Sequence, residues 1–131
     1  MGVLNILEVS KKQYYIFKTN KLKENIGASE IIRFVTEEFS NKLCQENNGK
    51  VINSGGGQTI FYFDKKCDSK NFSNQLSLEL LKKYPSLEFF ISCIDYNAKN
   101  DSIIKKIDEL HAKLENKKEK RDQYAYIQDF G

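Results

Sequence analysis

Apolar residues occur in short blocks along the chain, and the spacing inside each block alternates between a strand-like and a helix-like period. Residues 3–9 form a nearly continuous apolar run with Asn5 inside it and Glu8 near its end, a pattern that suits a central strand buried on both faces. Residues 11–17 suit the start of a helix, and residues 19–27 form a polar connection anchored by Leu22 and Ile26. From Ala28 the period becomes helical. Ala28, Ile31, Ile32, Val35, Phe39 and Leu43 recur at three and four residues, with Glu30, Arg33, Glu37, Glu38 and Lys42 on the other face, until Asn47-Asn48-Gly49 ends the pattern. Residues 50–53 and 59–64 are β-rich and flank Ser54-Gly55-Gly56-Gly57-Gln58, which predicts a hairpin with a glycine tip. Asp68 or Ser69 is placed to cap a second helix with Phe72, Leu76, Leu80 and Leu81 on its apolar face, closed by Tyr84-Pro85. A strand over residues 87–96 follows, with Leu87, Phe89, Ile91 and Cys93 on one face and Phe90 and Ile94 on the other. Asp101 or Ser102 then caps a third helix striped with Ile103, Ile107, Leu110 and Leu114.

The order strand, helix, hairpin, helix, strand, helix predicts an α+β fold of the ferredoxin-like βαββαβ type. Its expected form is a four-stranded antiparallel sheet, two helices on one face, and an extra carboxy-terminal helix. In that topology the end of the first strand and the hairpin tip are neighbours, which brings Glu8, Ser10 and the glycines together. All 131 residues are expected to form one domain, with residues 116–131 fraying because the stretch 116–121 is wholly polar.

Composition narrows the classes. A chain that is 40% hydrophobic and 30% charged carries enough apolar material to fold, which excludes global disorder. No apolar run approaches the roughly 18 residues that cross a bilayer. The amino terminus meets Glu8 before a signal-like stretch develops, so the expectation is a cytoplasmic protein without a membrane partner. Cys44, Cys67 and Cys93 with a single histidine, His111, make no closed zinc set, and all three cysteines are expected as small buried hydrophobes. Residues 105–121 hold seven Lys/Arg against four Asp/Glu and carry the whole net charge of +3. A solvated helix face is the ordinary explanation of such a segment, and nucleic-acid contact the alternative.

Three successive glycines at a hairpin tip let backbone N–H groups approach an anion, although a tight turn explains them as well. Three segments taken in order add to this: Glu8-Val-Ser-Lys-Lys-Gln13-Tyr-Tyr15-Ile16-Phe17, then Leu22-Lys23-Glu24-Asn-Ile-Gly27-Ala28-Ser29, then Gly55-Gly56-Gly57-Gln58. In them the sequence resembles the palm domains of the large, cyclase-like subunit of type III CRISPR effector complexes. The likeness covers nearly the whole chain and is greatest to the palm copy with a degenerate glycine-rich hairpin.

The resemblance implies a fold shared with polymerase and nucleotidyl-cyclase palms, in which carboxylates on the first strand and hairpin hold two Mg²⁺ ions on a triphosphate. Here one candidate metal ligand remains, Glu8, while the hairpin pair is Gly57 and Gln58. Transferred residue by residue, Gly55, Gly56 and Gly57 become phosphate-approaching backbone, Ser54 and Gln58 polar contacts, and Lys21 and Lys23 charge partners. The implied function is a catalytically degenerate palm in antiviral defence that binds ATP with Mg²⁺, or a partner palm from a second copy or a larger effector subunit. Nucleic acid would be met only through such a complex. The alternatives are an active cyclase or transferase that recruits Asp64 and Asp95 beside Glu8, and a purely structural interaction module. The chain is expected to be either a stand-alone relative or a fragment of such a subunit.

Overall fold

Each strand's burial follows from its neighbours in the sheet. The structure, a computed structural model, describes residues 2–10, 30–55, 57–84 and 87–130. Strand β1 (Gly2–Ser10) lies between β3 (Gln58–Phe63) and β4 (Glu88–Tyr96), and β2 (Gly49–Gly55) forms the edge beyond β3, so the order is β2-β3-β1-β4 with every pairing antiparallel. Val3, Leu4, Ile6, Leu7 and Val9 are all buried, as a two-faced central strand requires. Leu7 and Val9 point to one core and Leu4 and Ile6 to the other.

The first core is covered by helix α1 (residues 30–46) and helix α2 (Lys66–Lys83), which supply Ile32, Val35, Cys44, Phe72, Leu76 and Leu80. Phe72 anchors it, its ring 4.8 Å from Phe61 and 5.0 Å from Phe63. On the opposite face helix α3 (Ile103–Phe130) lays Leu110 and Leu114 against Leu4, Ile6 and Ile60. This is the expected βαββαβ arrangement with its additional helix. α3 includes the polar residues 116–121 and ends at Phe130. No helix among the described residues is long and apolar enough to cross a membrane. Residues 11–29, where a helix start and a polar connection were expected, lie outside the described residues.

Four sequence expectations change. In α1 the turn Phe34–Phe39 is a π-helix, with the Ser40 N–H bonded to the Val35 carbonyl. The extra residue in that turn moves the buried stripe from Phe39 and Leu43, now partly buried, to Thr36, Ser40 and Cys44. The buried hydroxyls are satisfied locally: Thr36 Oγ1 donates to the Ile32 carbonyl at 2.8 Å and Ser40 Oγ to the Thr36 carbonyl at 2.8 Å. Helix α2 begins before Asp68 and Ser69, with Lys65 at its N-cap and no side-chain cap; Ser69 bonds to Asn5 instead. Leu81 is 61% exposed and leaves the α2 stripe. Of the cysteines only Cys44 is buried, where desolvation pushes its thiol up to about 11. Cys67 and Cys93 are exposed.

Candidate functional site

Antiparallel pairing of β1 with β3 places Glu8 opposite Gln58, and the Val9 N–H donates to the Gly57 carbonyl at 2.9 Å. The predicted neighbourhood therefore forms. Glu8 projects to the α3 side of the sheet, because it alternates with Leu7 and Val9 of the other core. Gln58 Nε2 donates to Glu8 Oε1 at 2.9 Å, and Lys118 Nζ of α3 reaches Glu8 Oε2 at 2.6 Å. Lys118 also contacts Glu115 Oε1 at 3.2 Å. The bond to Glu8 raises the Lys118 ammonium above its ordinary value, against the opposing effect of burial. The Glu8 side chain is 19% exposed and that of Lys118 is 31% exposed, so the pair is partly withdrawn from water.

The hairpin residues divide. Ser54 is exposed, and its Oγ lies 3.1 Å from Thr59 Oγ1. Gly55 is exposed with open space on its Cβ side, whereas Gly57 is buried at φ 81°, where a Cβ would sit 3.4 Å from the Val9 carbonyl oxygen. Gly56, Lys21 and Lys23 lie outside the described residues, as do the second matching segment and most of the first. Asp95 pairs with Val3 at the far end of β1 and contacts Lys66 Nζ at 3.5 Å, so it is not beside Glu8. Asp64 follows β3 at that same far end.

These side chains do not fit a two-metal centre. Both Glu8 oxygens already accept hydrogen bonds, one from an ammonium, and Gly57 and Gln58 add no anionic oxygen. Among the described residues no group of three or more His, Cys, Asp or Glu side chains is placed to hold a metal ion. Lys118 was absent from the residues picked out by sequence. Its only signal was membership of the basic carboxy-terminal segment, and which of those lysines faces Glu8 depends on the crossing of α3 over the sheet.

No family model and no curated protein matches the sequence. Solved structures do match in shape. Csm1 from T. onnurineus, a type III CRISPR large subunit, superposes with a TM-score of 0.67 at 13% identity over 91% of this chain and 20% of its own. An adenylate/guanylate cyclase/hydrolase from Silicibacter pomeroyi gives 0.53 at 7% identity over 70% of this chain and 54% of its own. The dimeric guanylyl cyclase domain of the RhoGC fusion protein from Blastocladiella emersonii gives 0.50 at 9% identity, with the same coverage. The chain thus spans about a fifth of Csm1 and about half of the cyclase structures. With its four-stranded antiparallel sheet and its carboxylate at the end of β1 beside a hairpin, the chain has the palm-like α+β fold found in Csm1 and in nucleotide cyclase domains.

Proposed function

We propose that this chain is a catalytically silent palm module of the CRISPR type, which works beside a second palm and presents its hairpin end to a nucleotide held between the two. One observation carries the reading: the carboxylate at the end of β1 is neutralised from within, by the ammonium of Lys118 and the amide of Gln58. A palm that manages two metal ions needs several anionic oxygens converging there, and this one offers a closed ion pair and a glycine turn. The fold supports the reading because Csm1 and the cyclase structures share it, and the RhoGC domain is described as dimeric. The Csm1 likeness supports antiviral defence as the setting of this proposal.

The test is incubation of the purified chain with ATP or GTP and Mg²⁺, with chromatography of the products. The expected result is no cyclic or linear oligonucleotide above a heat-killed control. Product formation that disappears in Glu8→Ala would overturn the silent-palm assignment. Titration of ATP into the chain, alone and with an added palm-containing subunit, examines the binding half: affinity that rises with the second palm is the expected outcome.

A further inference from the structure

Among the described residues, four lysines line a cleft at the end of the sheet away from the hairpin. Strand β4 is an edge of the sheet, flanked by α2 on one face and α3 on the other. Around its end near Val3 opens a cleft of about 760 Å³, into which α2 sends Lys66 and Lys70 and α3 sends Lys106 and Lys113. That volume lies within the range of roughly 300–1,000 Å³ typical of small-ligand sites. Glu8 sits five residues further along β1, about 17 Å away at the usual strand rise of about 3.3 Å per residue.

Beneath the cleft lies a buried polar anchor, while Val3 and Ile94 give its wall an apolar part. Asn5, at the middle of a central strand and fully buried, accepts from Ser69 Oγ at 2.7 Å and donates to Ser73 Oγ at 2.9 Å. An apolar residue would fill the position at lower cost, since a buried amide must recover its lost hydration through hydrogen bonds. Here it orients two serines on successive turns of α2, both of which line the cleft. Ser73 Oγ accepts from Asn5, which leaves its own proton free to donate.

The charges are only lightly compensated. Asp95 is the one carboxylate among the lining residues, and its 3.5 Å contact with Lys66 joins side chains 54% and 80% exposed, a geometry of little net strength. Lys106 contacts Glu109 at 3.5 Å, and Lys113 Nζ donates to the Cys93 carbonyl at 2.7 Å, covering an edge acceptor of β4. Ammonium groups from two helices brought to one cleft repel one another unless an anion joins them. Ammonium and hydroxyl donors together suit phosphate oxygens.

We infer that this cleft is a binding site for two adjacent phosphate groups, as carried by a nucleoside diphosphate or by two successive nucleotides of a single strand. The site is separate from the hairpin, and it stands or falls independently of the silent-palm reading.

Cys93 supplies the test, because it is exposed and lines the cleft, whereas Cys67 is exposed and does not line it. Alkylation of the folded wild-type chain by iodoacetamide is followed at both thiols by mass spectrometry, with pyrophosphate, ADP or a short oligothymidylate added. The site requires saturable slowing at Cys93 with Cys67 unchanged. Protection by pyrophosphate and ADP identifies a nucleotide as the source, and protection by the oligothymidylate alone identifies a strand. In Lys70→Glu/Lys106→Glu the concentration for half-protection should rise by at least about tenfold, while the control Lys50→Glu/Lys82→Glu should stay within about twofold. Absence of protection by all three probes, equal slowing at both cysteines, or equal weakening by the two double variants would overturn the assignment.

Discussion

Glu8 and Lys118 form a pair of intermediate burial, and that decides how much they contribute. Exposed ion pairs are worth about 0–1 kcal/mol, and removing one partner of a fully buried pair costs about 3–5 kcal/mol. With side chains 19% and 31% exposed, truncation of Lys118 falls between these limits, so Lys118→Met should lower stability by about 1–3 kcal/mol in urea unfolding. A double-mutant cycle with Glu8→Gln should show positive coupling, since each single variant removes the same contact. The pH dependence has a definite sign. The folded-state value of Lys118 is raised, so its contribution is fully present below the unfolded value, near 10.4, and is lost as pH rises through the folded one. The stability gap between wild type and Lys118→Met should therefore be flat through neutral pH and close in strong alkali. Gly49 makes a second point at this scale. A Cβ there would collide with the Phe63 ring and with Cys44 Sγ, so Gly49→Ala should destabilise by about 1–3 kcal/mol, the usual cost of overpacking, in thermal or urea unfolding.

At the scale of elements, α3 determines what the sheet face can do. Leu110 and Leu114 hold it over Leu4, Ile6 and Ile60, and the same helix continues to Lys118 above Glu8. Leu114→Ala should cost about 2–5 kcal/mol for the lost burial and the cavity. It should also loosen the ion pair one turn further on, which would appear as faster amide exchange at Glu8 and Gln58. Most elements were legible in the sequence, because continuous or alternating apolar runs leave few options: the two-faced β1, the hairpin around Gly55 to Gly57, and the stripe Phe72, Leu76, Leu80 all stand where the periodicity put them. The misses have physical causes. A π-turn inserts a residue without a compositional mark, so Thr36, Ser40 and Cys44 replaced the expected Phe39 and Leu43. Cys93 continues the alternation of β4 but sits beside the cleft at the sheet edge, where burial depends on what α2 and α3 leave open. Glu8 stood out as a carboxylate in an apolar strand. Its partner Lys118 is 110 residues away, and only tertiary packing selects it from the basic segment.

At the scale of the molecule, the described residues place different side chains at the two ends of the sheet. The hairpin end holds a neutralised carboxylate, and the other end holds a lysine-lined cleft. The palm-like fold, seen here over a span equal to a fifth of Csm1, thus carries a closed ion pair at one end of the sheet and a lysine-lined cleft at the other. In the proposed silent palm, the Lys118 ammonium stands at Glu8 where a divalent ion would otherwise bind. Titration of Mn²⁺ into the isotopically labelled chain, followed by paramagnetic broadening of amide resonances, tests it directly. No saturable broadening centred on Glu8, Val9 and Gln58 is expected at metal concentrations up to the millimolar range. Saturable broadening confined to those residues, and abolished by Glu8→Gln, would contradict it.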